Sequence, residues 1–207
     1  MKSASVAAIA ALLVCCFALT NTATAASTID FSDGGGTLSG TNAGLTLSGS
    51  TLVAITGLNG GGVITGNLGT VSFHTGALIS GSLQQGGPFA GGGTFTITGN
   101  GTNGVPNGVL FSGTFSGNVS WTLTTLANHT HNYTLTGVVT GMMGGVSVSA
   151  VTTQLTVNTG KGLFSGSTLI SGGNTTVSSV PEPSTLGLFV TGGLSLLGMV
   201  RRKLLVR

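Results

Sequence analysis

The residues able to do chemistry in this chain are few and scattered. In Asn-His-Thr-His-Asn-Tyr-Thr, His129 and His131 stand two apart. On a strand that spacing puts both imidazoles on one face, as two ligands of a metal ion. A tight site takes three or four ligands, and the remaining candidates are His74, Asp30 and Asp33. A solvated loop or hairpin end is the simpler reading, and no metal or other cofactor is expected. Gly99, Gly101 and Gly104 spell a formal G-x-G-x-x-G. A dinucleotide site also needs a helix to open there, so that its N-terminus holds the pyrophosphate. Val105-Pro106-Asn107-Gly108 follows instead, a second turn, so the segment reads as a glycine-rich hairpin loop. Asp30 and Asp33 have the composition of a calcium loop's first ligands, but more simply shape the turn before Gly34-Gly35-Gly36. General acid–base catalysis pairs carboxylates or sets one behind a histidine. Between Ala26 and Val180 there are only these two carboxylates and no arginine. No catalytic residue is assigned, and no enzyme is expected.

The elements that position these residues are strands. In Gly-Thr-Phe-Thr-Ile-Thr-Gly, Phe95 and Ile97 point one way and Thr94, Thr96 and Thr98 the other; Val119, Trp121 and Leu123 alternate with Ser120, Thr122 and Thr124. Period two with β-branched and aromatic residues means half-buried strands. Gly-rich breaks at 59–62, 86–88 and 91–93 mark turns. A phrase of apolar residue, Ser or Thr, then Gly recurs from Leu38 to Ile170; its first gaps are 9, 8 and 9 residues, and later ones scatter. A β-solenoid stacks a constant repeat, so it is the alternative. The expected fold is all-β, an antiparallel sandwich of jelly-roll type, over residues 26–179. Phe31, Phe73, Phe95, Phe111, Phe115, Trp121, Tyr133 and Phe164 are the expected large core residues.

Of 207 residues, 38 are Gly and only 4% are charged, against about 25% in ordinary soluble domains. Five of the six basic residues lie at the ends: Lys2, Arg201, Arg202, Lys203 and Arg207. Phosphate backbones are bound by clustered Lys and Arg. The middle holds Lys161 alone, so nucleic acid is rejected as a partner despite the basic balance.

The ends carry addresses. Lys2, an apolar run from Val6 to Leu19, and Ala23-Thr24-Ala25 are the parts of a secretory signal peptide over residues 1–25, with cleavage expected after Ala25. Cys15 and Cys16 fall inside that run, and Val14 before Cys15 argues against a lipoprotein signal. The mature chain then has no cysteine and no disulfide. At the other end, residues 186–200 are an uncharged stretch of 15 residues. As a helix it is about 22 Å long, short of a hydrocarbon core of about 30 Å. Arg201-Arg202-Lys203 follows at once, a stop-transfer cluster that snorkels to headgroups and stays inside. Pro181 and Pro183 place the start of that transmembrane helix beyond them.

Val180-Pro181-Glu182-Pro183-Ser184, then an apolar Gly/Leu stretch, then Arg-Arg-Lys, resembles a PEP-CTERM sorting signal over residues 180–207. The resemblance implies an exported protein of a Gram-negative, exopolysaccharide-making bacterium. It implies an exosortase, a membrane-embedded cysteine protease, as partner, with Pro181, Glu182 and Pro183 as the sorting and processing motif. The chain would be anchored in the membrane until processed and would then belong to the cell surface or the extracellular matrix of a biofilm. The family leaves the central domain open. A non-catalytic surface or matrix protein is the first expectation. A carbohydrate-binding or adhesive module, stacking sugars on Trp121 and Tyr133, is the second, and a weak Ser/His hydrolase the third.

Overall fold

Alternating apolar and Ser/Thr residues separated by glycine produce strands throughout the computed structural model, which describes residues Ser27–Ser179. The strands are β1 (Ser27–Gly34), β2 (Thr37–Thr41), β3 (Gly44–Thr56), β4 (Val63–His74), β5 (Gly86–Phe89), β6 (Gly92–Asn100), β7 (Asn107–Phe115), β8 (Val119–Thr125), β9 (His131–Met143), β10 (Val146–Asn158), β11 (Ser167–Leu169) and β12 (Gly172–Ser179). A short 3-10 turn, Leu58–Gly60, separates β3 from β4.

Four of the long strands are each broken once by a short bend. β1 and β2 run one after the other along β3, with Gly34 opposite Thr51 and Thr37 opposite Ser48. Gly35 and Gly36 sit between them at φ 67 and 80, a backbone that glycine adopts without cost. In the same way β5 and β6 follow β8 and β7. β7 and β8 in turn follow β9, and β11 and β12 follow β2 and β1. Counted as continuous staves, the order around the sheet is β1/β2, β3, β4, β5/β6, β7/β8, β9, β10, β11/β12, which is the order along the chain. β1 pairs with both β3 and β12, so the sheet closes on itself. The result is an eight-staved, up-and-down, antiparallel circuit, and closure removes the open edges that a sheet otherwise exposes.

The all-β, antiparallel expectation holds. The two-sheet sandwich does not: hydrogen bonds carry the strands round in one sheet. The solenoid alternative fails because every pairing between strands is antiparallel and joins sequence neighbours or the two ends. The physical reason is local. Meandering hairpins with tight turns need no long crossover, and the glycine breaks let each stave bend round the core.

Inside the circuit lies one apolar cluster. All eight aromatic residues expected in the core are there, joined by Phe89. Phe95 packs against Phe73, Phe111 and Phe115, with ring centroids about 6 Å apart and mostly edge-to-face. Gly137 makes room for this group: a Cβ there would meet the Phe115 ring. Outward positions are Ser, Thr and Asn for the most part, as at Thr70, Ser72, Thr122, Thr136 and Thr140. Apolar inside and polar outside is the reverse of a barrel that faces lipid. Among the described residues no helix is long and apolar enough to cross a membrane. The helix expected over 186–200 and the signal peptide lie outside the described residues.

Candidate functional site

The structure disperses the side chains that looked chemical. His129 sits at the turn between β8 and β9 with φ 61, exposed, whereas His131 opens β9 and its Nδ1 lies 3.0 Å from Thr125 Oγ1. The two do not share a strand face. Among the described residues no three His, Cys, Asp or Glu side chains gather as a metal site requires. The glycine loop at 99–104 joins β6 to β7 as a hairpin. Its polar residues are spent on β4: Thr102 Oγ1 donates to the Asn67 carbonyl, and Asn103 Nδ2 to that of Thr65.

Asp30 and Asp33 both belong to β1, ahead of the glycine turn. Asp30 accepts a hydrogen bond from Thr176 Oγ1 at 2.6 Å on the outside. Asp33 follows Phe31 by two residues on the same inward strand face, where it is buried beside Ser50, whose hydroxyl donates to its Oδ2. Burial raises the Asp33 pKa above the ordinary aspartate value; the bond from Ser50 and one from its own backbone oppose that rise.

Trp121 and Tyr133, the aromatics expected to stack sugars, are 1% and 0% exposed. Their rings stack at 4.9 Å, and Phe164 meets the Trp121 ring edge-on at 5.4 Å. Their polar atoms tie down loops: Trp121 Nε1 donates to the Leu83 carbonyl, the Tyr133 hydroxyl donates to that of Gln84, and Phe164 N donates back to the Tyr133 oxygen. Every Phe, Tyr and Trp among the described residues is buried, so none offers a ring face to a ligand. That is the correction to the aromatic-strip expectation. Strand β8 alternates as its sequence implies, and its inward face is the one carrying Trp121.

What the outer surface offers instead is a groove of about 540 Å³ across β8, β9, β10 and β12. It opens where the stave of β7 and β8 bends at Ser116–Asn118. Ser116 N and Oγ both donate to the Val138 carbonyl there. One row crosses the groove through directly paired residues: Ser120, Thr136, Gln154, Asn174. A second runs Val138, Thr152, Thr176 to Asp30. All ten lining residues, Asn118 and Gly137 among them, are uncharged. None of these is expected as a site from the sequence. Alternation places the residues of the two rows on an outer face, but which strands lie side by side is set by register, which alternation does not carry.

The sorting residues expected from the sequence — Ala23, Ala25, Pro181, Glu182, Pro183, Arg201, Arg202 and Lys203 — lie outside the described residues. Residues 179–203 match the family model of the PEP-CTERM protein-sorting motif. That stretch contains the Pro-Glu-Pro triplet and the Arg-Arg-Lys cluster, and it implies an exported protein that exosortase processes while the chain transits the membrane. No curated protein and no solved structure matches the chain.

Proposed function

We propose, from a tail that carries the PEP-CTERM motif, that this chain is a non-catalytic protein of the cell surface or extracellular polysaccharide matrix of a Gram-negative bacterium. An N-terminal signal peptide ending at Ala23-Thr24-Ala25 starts export. The apolar run 186–200 and the basic cluster Arg201–Lys203 hold the chain in the inner membrane, and an exosortase-type protease reads Pro181-Glu182-Pro183. The observation that carries the reading is the family match over residues 179–203.

The central domain supports a structural rather than a catalytic role. Its carboxylates are each engaged by a hydroxyl, from Thr176 and Ser50. Its histidines stand on separate elements. Its core is filled with aromatic side chains. The intact mass of the protein recovered from its native host tests the proposal. The expected mature chain begins close to Ala26 and ends near Pro181–Ser184. A full-length mass that retains Arg207 overturns it.

A further inference from the structure

We propose that the groove across β8, β9, β10 and β12 binds a segment of an uncharged polysaccharide, with the row Ser120–Thr136–Gln154–Asn174 as its hydrogen-bonding floor. The inference deepens the proposed surface role and rests on it only for where such a polymer is met.

The side chains decide the ligand's chemistry. Those of Asn118, Thr136, Thr152, Gln154 and Asn174 are exposed and make no hydrogen bond to another described residue. Several amides outside the groove are spent on the fold: Asn100, Asn103 and Asn158 bond a neighbouring strand, and Asn128 its own turn. Hydroxyls and carboxamides both donate and accept, which is what adjacent sugar hydroxyls require of a partner. No cation lies in the groove. The single lysine of the described residues, Lys161, is in the loop after β10, so nothing there pairs a uronate, sulfate or phosphate. The nearest carboxylate, Asp30, is already engaged by Thr176. Val138, 40% exposed, and the threonine methyls give C–H surface against which a sugar ring can lie without an aromatic platform.

Geometry argues for a chain over a small molecule. Neighbouring strands are about 4.8 Å apart, so the four-residue row spans about 14 Å, room for a short run of sugar rings. The volume falls within the usual range for ligand sites, about 300–1,000 Å³. A protein partner fits less well. Each of the four strands is paired on both sides, which leaves no backbone edge for strand addition, and the groove lacks the buried aromatic or arginine anchors of protein interfaces. A single neutral groove binds weakly; many copies displayed on one surface would hold a polymer through multivalency.

The test is gel retardation of the chain, in the form its host exports, through matrices containing dextran, galactomannan, hydroxyethyl cellulose or the polyanion alginate. Retardation by at least one neutral polymer and none by alginate is expected. Thr136→Val with Gln154→Met, which keeps shape and removes hydrogen bonding, should weaken retardation at least ~10-fold. Thr70→Val with Ser72→Ala, on β4 outside the groove, should leave it unchanged. Asn118→Ala lies outside the paired strands and serves as a second variant if the first melts early. Absence of retardation by all three neutral polymers, retardation by alginate alone, or full retardation of both groove variants overturns the proposal. A trimmed, exported chain that is not retarded refutes the groove alone; an untrimmed, retained chain that is retarded refutes the export reading alone.

Discussion

Among the described residues Asp33 is the one charged side chain that is buried, and its cost is measurable. Its pKa is raised by burial, so the protonated form is the one the folded state prefers. Its contribution to stability is therefore fully present below the unfolded aspartate pKa and is lost as pH rises through the folded one. Denaturant titrations at about pH 3 and about pH 7 should show Asp33→Asn gaining stability relative to wild type at the higher pH and losing that advantage at the lower. The amide can still accept from Ser50. An equal difference at both pH values would mean that the group does not titrate differently on folding. Trp121→Ala should cost roughly 3–5 kcal/mol, because it removes a buried indole and its bond to Leu83. Tyr133→Phe should cost about 1–3 kcal/mol, the desolvation penalty of an unpartnered buried N–H at Phe164. Urea unfolding followed by circular dichroism measures both. Which aromatics are core was largely legible, because all but Phe164, in the loop between β10 and β11, sit on apolar strand faces. Asp33 lies on the same inward face two residues after Phe31, but its partner was not legible, since Ser50 turns inward only through the slip in β3 between Leu47 and Ser50.

At the scale of strands, irregularity is what hides the fold from the sequence. In β3, Leu45 and Leu47 are buried, then Ser50 and Leu52, then Ile55. The parity changes where the pairing with β4 slips, between Leu47 and Ser50, and again at Val53, which the pairing with β1 skips. Each bulge adds a residue and re-aims the strand, so a single strand reads as short, unrelated pieces. Gly144-Gly145, at φ 56 and 83, is the two-residue turn that glycine pairs favour, whereas Gly86–Pro88, expected as a turn, lies in β5. Glycine also permits close strand approach. Gly69, at φ 147, lies opposite Gly99, and a Cβ there would collide with the Thr98 carbonyl oxygen. Gly69→Ala should lower stability by about 2–4 kcal/mol, combining backbone strain and overpacking. Gly104→Ala has open space around its Cβ and carries only the positive-φ strain, so it should cost less. Thermal unfolding of the two side by side separates these terms.

Over the whole molecule, closure rests on β12, which stands between β1 and β10. Deleting Gly172–Ser179 removes β12, the closing part of one stave, and leaves β1 and β10 with exposed edges. That variant should lose cooperative urea unfolding and associate in solution, as size-exclusion chromatography would show; a cooperative monomer would mean that the circuit's closure is dispensable. The tail has its own test. Replacing Arg201, Arg202 and Lys203 with Ser removes the charges that, in the proposed topology, stop the short apolar run from sliding through the bilayer. At mid-helix such charges cost about 2.5–3.5 kcal/mol on insertion scales. The triple variant should accumulate untrimmed outside the inner membrane, and immunoblots of cell fractions would show this. Trimming and location like wild type would make the cluster dispensable.

The pairing of Ser27 with Ser179 sets a clock. In a chain that leaves the cell N-terminus first, β1 is the first strand to emerge and must wait, with one flank bare, for the last. The contact that completes the circuit spans nearly the entire domain, the slowest kind to form. Folding therefore finishes only when Ser179 is across, two residues before Pro181. Until then the polypeptide stays loose enough to thread a narrow conduit, with no disulfide to trap it early. On the proposed export route, folding and sorting fall at the same moment. Nascent chains halted before β12 should remain fully protease-sensitive, and those released after Ser179 should become resistant in one step.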